Sequence, residues 1–157
     1  MSYKTSNEVL TVCEVKISYQ PTVKLCERPS VKSSYHTYKL LMENEVFDPL
    51  TIEYKEFFKV MLLNNANKLL GISHLSEGGI EQTAVDIRHI MQTAILSNAT
   101  GIVLAHNHPS GNLQPSKSDD CITERIKSAC KVFHINLQDH LIISSESYYS
   151  YADDERL

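Results

Sequence analysis

Residues 102–119, IVLAHNHPSGNLQPSKSD, run from an apolar segment through a polar loop into the start of a helix. Ile102-Val103-Leu104-Ala105 is short and wholly apolar, the mark of a strand buried on both faces. After Pro115, Ser116-x-x-Asp119 has the form of a capping box, with serine as N-cap and the acid at the third helical position. Strand, loop and capped helix in this order form a unit of an open α/β sheet. Such sheets place their sites at the carboxyl ends of strands, which is where His106 falls.

Residues two apart in an extended chain point the same way, so His106 and His108 share a side and Asn107 faces away. Pro109 keeps His108 out of the helical region, and Gly111 lets the backbone turn. Two imidazoles presented side by side suit zinc. A carboxylate in the first helical turn can point back across the loop, which makes Asp119 a third candidate ligand. Its other reading is a cap residue that serves only the helix start and its dipole.

Outward from this stretch, alternating strand and helix signals continue. Residues 33–42 have helical spacing, with Tyr35, Tyr38, Leu41 and Met42 as the apolar stripe. The apolar run 57–63, the turn Asn64-Asn65-Ala66-Asn67 and the run 68–74 predict a hairpin, which Ser76-Glu77-Gly78-Gly79 ends. Residues 82–98 predict a helix buried through Ala84, Ile87, Met91, Ala94 and Ile95. A third helix over 117–133 would be buried through Ile122, Ile126, Ala129 and Phe133. A last strand at 137–144 leads into a tyrosine-rich polar tail. Residues 1–33 read as polar and irregular apart from a strand at 14–19. The class is therefore α/β, a central sheet with helices on both faces.

The 157 residues suit one domain, and 42% hydrophobic with 22% charged residues is a globular composition. No apolar run approaches the length of a membrane span and no secretory signal is seen, so a cytoplasmic setting is expected. The net charge of −4 argues against unaided DNA binding. The cysteines at 13, 26, 121 and 130 form no C-x-x-C pair and read as small buried thiols.

His106-x-His108, seven residues, Ser116, two residues and Asp119 resemble the JAB/MPN (JAMM) metalloprotease superfamily, and His-Asn-His-Pro-Ser-Gly resembles its RadC-like branch. Asp139-His140-Leu141-Ile142-Ile143 is similar to that branch's closing strand. The resemblance implies a three-layer α-β-α fold with a mixed central sheet, like that of cytidine deaminases. It covers residues 30–150, between an extension at 1–29 and a tail at 151–157. It also implies Zn²⁺ held by His106, His108 and Asp119, a glutamate that takes the proton of a zinc-activated water, and Ser116 donating to the developing oxyanion. The activity implied is hydrolysis of a peptide or isopeptide bond in a peptide or protein substrate, whose tail could be ubiquitin-like. The alternative is a DNA-repair-associated accessory protein that binds metal without peptidase activity.

Among the candidate bases Glu53, Glu56, Glu77 and Glu81, Glu56 is chosen. It opens an apolar strand and shares a face with Phe58, Val60 and Leu62, where a carboxylate is costly without a partner. Glu77, beside two glycines, is the reserve. His36, His74, His89 and His134 have no partner at ligand spacing and read as surface or core histidines. His140 is read the same way, with support of the ligands as its other option. Asn107 and Ser110 read as holding the loop. The chain departs from the branch pattern at Asn112, where an acid is common, and at Val85-Asp86-Ile87-Arg88, which lacks a proline before the arginine.

Overall fold

The computed structural model of the chain describes residues 2–5, 8–11, 18–78 and 85–157. A two-stranded antiparallel hairpin pairs β1 (Ser2–Thr5) with β2 (Glu8–Thr11). The main body follows as α1 (Ser34–Glu43), β3 (Phe57–Leu63), β4 (Leu69–Glu77), α2 (Ile87–Leu96), β5 (Gly101–Asn107), α3 (Lys117–Val132), β6 (Asn136–Ile143) and β7 (Tyr148–Ser150). Its sheet has the order β4-β3-β5-β6-β7, with β5 and β6 parallel and every other pair antiparallel. It is the expected mixed sheet.

Side-chain parity divides the core into two layers. On one face Phe58, Val60 and Leu62 of β3 and Ile102 and Leu104 of β5 pack against Ile90, Met91 and Ala94 of α2 and Ile126 and Cys130 of α3. On the other, Met61, Leu63, Val103, Ala105, Leu141 and Ile143 pack against Leu41 of α1, Phe47 and Ile52. All seven residues of β5 are buried, as a central strand covered on both sides requires. Each fully buried aliphatic side chain contributes roughly 1.5–3 kcal/mol, so the α-β-α sandwich rests on these two layers. Among the described residues no helix is long and apolar enough to cross a membrane.

Several expected boundaries move. The irregular N-terminal segment contains the β1–β2 hairpin. Of the strand expected at 14–19, residues 14–17 lie outside the described residues, and Ser18 and Tyr19 are not in a strand. Strand β4 runs on through Ser76 and Glu77, because β3 continues to pair with it there. Helix α2 begins at Ile87, where the Asp86 carboxylate accepts the Arg88 N–H at 2.9 Å. Aspartate thus starts this helix without the missing proline. The expected Ala84 lies outside the described residues, Ile95 is exposed, and Ile90 takes the central buried position. At the end of α3 Phe133 is exposed, and Thr123, Ile126 and Cys130 carry the burial. Tyr35, read into the α1 stripe, is exposed as well.

The tyrosine-rich segment is a strand, and Tyr151 beyond it is 1% exposed. Of the cysteines only Cys130 fits the buried reading; Cys26 and Cys121 are exposed, and Cys13 lies outside the described residues.

Candidate metal centre

Strand β5 extends two residues beyond the apolar run and carries His106 and Asn107 to the sheet's upper edge. His106 pairs with Phe58 of β3, and the two rings stack with centroids 5.7 Å apart. His108 follows the strand, and its N–H donates to the Ile143 carbonyl at 3.1 Å. Gly111, at φ +73°, closes a turn by donating its N–H to the His108 carbonyl at 2.9 Å. The predicted parity holds: His106 Nε2 and His108 Nε2 face each other at 3.0 Å.

Asp119 reaches both rings from the first turn of α3. Its Oδ1 lies 3.3 Å from His106 Nε2 and its Oδ2 lies 3.5 Å from His108 Nε2. The same carboxylate closes the capping box by accepting the Ser116 N–H at 2.7 Å, and Ser116 Oγ accepts the Asp119 N–H at 3.1 Å. Cap and ligand geometry therefore coexist in one side chain. Burial pushes the Asp119 carboxyl up, but the neighbouring His106 and His108 rings and the bond from Ser116 outweigh it and hold the group far below the usual carboxylate range. The neighbouring Asp119 raises the pKa of His108 against burial, with the Asn112 carbonyl and the Glu56 charge adding to it.

The donor set fits a cation. His108 Nδ1 lies 2.5 Å from the Asn112 carbonyl oxygen, which can only accept. Nδ1 must therefore carry the ring proton, and Nε2 of the neutral ring turns its lone pair inward. That lone pair converges with a second imidazole nitrogen and a carboxylate, all within 4.8 Å of one another. Two imidazoles and one carboxylate are ligands that zinc accepts. Asn112 contributes its backbone here, so the side chain that departs from the branch pattern leaves this bond intact.

Glu56 sits half-buried immediately before β3, near enough to His108 to act on its charge. Asn107 fixes the backbone around it. Facing away from the histidines, the Asn107 side chain accepts the Phe57 N–H at 2.8 Å and donates to the carbonyls of Ile52 and Lys55, both at 2.7 Å. Sequence reasoning gave Asn107 to its own loop; it instead ties down the segment that presents Glu56. Asn107→Ala leaves these backbone groups without the side-chain partner and is expected to cost roughly 2–4 kcal/mol. Urea unfolding reads that loss. Asn107→Asp should not rescue it, because an oxygen would then face two carbonyls; wild-type stability in that variant would contradict the assigned amide orientation.

Glu77, the reserve base, pairs with Phe57 and lines a cleft with Phe57 and Lys59 on the α1 side of the sheet. Lys55 Nζ holds it in an ion pair at 2.5 Å. Glu81 lies outside the described residues.

The residue that sequence reasoning undervalued is His140. It is fully buried, with Nε2 2.8 Å from His106 Nδ1 and Nδ1 2.6 Å from Thr123 Oγ1. Burial, with the neighbouring His106 adding to it, drives its pKa well below the ordinary value, so the ring is neutral. The Tyr151 ring stacks on it at 5.0 Å, and the Tyr151 hydroxyl donates to Asp120 at 2.9 Å. Asp139, the preceding residue, accepts from Ser150 Oγ and from the N–H groups of Ala152 and His140. Only the parallel β5–β6 register, in which Leu104 pairs with His140, brings that ring behind His106. No spacing within one segment could reveal it. The other histidines stay apart from this group; His74, for one, pairs with Lys59 on the opposite face.

A family model described as the RadC-like JAB domain matches residues 31–157. A UPF0758 protein of Flavobacterium johnsoniae is 46% identical over 99 residues, covering 63% of this chain and 43% of its own. One from Porphyromonas gingivalis is 36% identical over 135 residues, 85% of this chain and 57% of its own. One from Streptococcus gordonii is 32% identical over 145 residues, 90% and 64% respectively. The chain spans about half the length of the first two of these relatives.

Proposed function

The chain belongs to the RadC-like JAB domain family, and from that premise we propose that it is a zinc-dependent hydrolase of peptide or isopeptide bonds. The observation that carries this reading is the convergence of His106 Nε2, His108 Nε2 and an Asp119 carboxylate oxygen at the carboxyl end of the central strand β5. Three protein ligands leave a fourth position open, the arrangement of a catalytic zinc rather than a structural one. Zinc bound there supplies Lewis acidity, polarising a carbonyl and making water a nucleophile near neutral pH.

The remaining chemistry belongs to the chain. The Glu56 carboxylate takes up the proton of the attacking water and returns it to the leaving amine. Asn107 ties down the backbone of the segment that carries that carboxylate, through Ile52, Lys55 and Phe57. Ser116 Oγ accepts from the Asp119 N–H, which leaves its own proton to donate to the oxygen of the scissile carbonyl. Phe58 and His140 close the rear of the site to water and keep the His106 ring in plane.

The test compares chelator-stripped chain with chain reloaded with zinc, assayed against a peptide library that includes isopeptide-linked lysine peptides. About one zinc per chain is expected, with cleavage only in the loaded sample. A stripped chain that takes up no zinc would sink the reading.

A further inference from the structure

We infer that Thr123 and His140 are positioning residues that set the tautomer of His106, so that its Nε2 presents a lone pair to the metal. The inference rests on His106 being a ligand, and it follows from counting protons along one buried chain of contacts.

The chain begins at a group whose role is fixed. Thr123 Oγ1 lies 2.5 Å from the Asp119 carbonyl oxygen, one turn back in α3. A carbonyl only accepts, so the single hydroxyl proton of Thr123 is committed to that bond. The hydroxyl oxygen, which also neighbours the Tyr151 hydroxyl, has no proton left for His140 Nδ1 at 2.6 Å and must accept from it. His140 Nδ1 therefore carries the ring proton, and Nε2 of the neutral ring is an acceptor. Its partner at 2.8 Å is His106 Nδ1, which must in turn be the donor. With a single ring proton on Nδ1, His106 turns the lone pair of Nε2 toward His108 and Asp119, and the 3.0 Å between the two Nε2 atoms, which then holds no hydrogen, is the span that a cation would bridge.

The reverse order fails at its first link. If His106 carried its proton on Nε2, His140 would donate from Nε2 and accept at Nδ1 from Thr123. Thr123 Oγ1 and the Asp119 carbonyl would then stand 2.5 Å apart with no hydrogen between them. All three side chains are about 99% buried or more, so water has little access to repair the mismatch. The polarity also closes on itself: Asp119 supplies a carboxylate to the site and, through its backbone carbonyl, orients the histidine beside it. His108 reaches the same tautomer independently through Asn112.

The experiment is long-range ¹H–¹⁵N NMR of the histidine rings in the full metal-free chain, with zinc affinity measured separately by chelator competition. His106 and His140 are both expected as Nδ1–H tautomers in the wild type. Thr123→Val, which keeps the shape and removes the hydroxyl, should move His140 off that tautomer. It should also weaken zinc binding about 10–100-fold, as loss of a supporting bond to a ligand does. Thr123→Ser should restore both. His106 found as the Nε2–H tautomer in the wild type overturns the inference, as does a Thr123→Val variant with unchanged tautomers and unchanged affinity. If Thr123→Val does not fold, the wild-type spectrum alone decides. A chain with the expected tautomers that binds no zinc defeats the hydrolase reading and the metal-facing role inferred here, leaving only the tautomer assignment; a zinc-binding chain with His106 as the Nε2–H tautomer defeats this inference alone.

Discussion

Asp119→Ala is expected to reduce bound zinc from about one per chain to a small fraction. The carboxylate is the only anionic member of the donor set, and without it the cation faces two neutral imidazoles 3.0 Å apart. The loss should exceed the ~10–100-fold cost of removing a supporting residue. Asp119 also closes a helix cap, so the variant loses stability as well. Ser116→Ala separates the two effects. It removes the side-chain cap, worth roughly 0.5–2 kcal/mol, yet leaves all three donors. Metal analysis after gel filtration should find Ser116→Ala loaded and Asp119→Ala nearly empty, while urea unfolding shows both destabilised. Full loading in Asp119→Ala would reduce that residue to a cap.

Glu56→Gln is expected to retain zinc and to lower hydrolysis by about 10²–10⁴-fold, the contribution of a positioned base. Glutamine keeps the length and polarity of the side chain but cannot take up a proton. The paired control is Glu77→Gln. Glu77 stands on the α1 side of the sheet in an ion pair with Lys55, so activity there should stay near wild type. Steady-state cleavage of one fluorogenic peptide, with zinc content measured on the same samples, reads both variants. Near-normal turnover in Glu56→Gln, with loss in Glu77→Gln, would reverse the assignment.

How legible the centre was depends on how many chain segments each part needs. His106, His108 and Asp119 lie within fourteen residues, and local rules governed them: alternation along a strand, a proline, a helix cap. Those rules sufficed for the geometry now seen. A central sheet between helices was likewise readable, because residues 102–105 are short and wholly apolar and α3 is capped in the sequence itself; that the sheet is mixed was implied only by the family resemblance. Local rules missed what depends on register. His140 stands behind His106 only because β6 runs parallel to β5 at one particular offset. The Asn107 amide meets Ile52, Lys55 and Phe57 fifty or more residues away in the chain. Helix α2 misled for a different reason: apolar spacing continued upstream of Asp86, but the aspartate cap decided where the helix begins.

The alternation of His106, Asn107 and His108 makes the order of these letters matter apart from their number. Consider a double exchange, His106→Asn with Asn107→His. Composition, net charge and the count of metal-binding side chains all stay the same. The imidazole would now enter the pocket where an amide must accept one proton and donate two, which a neutral ring with one donor and one acceptor cannot do. The amide would stand where a lone pair is wanted. One adjacent transposition would thus cost the chain both its metal and the anchorage of the 52–57 segment. A census of side chains would score the two sequences as equals, and only the two-residue beat of the strand tells them apart.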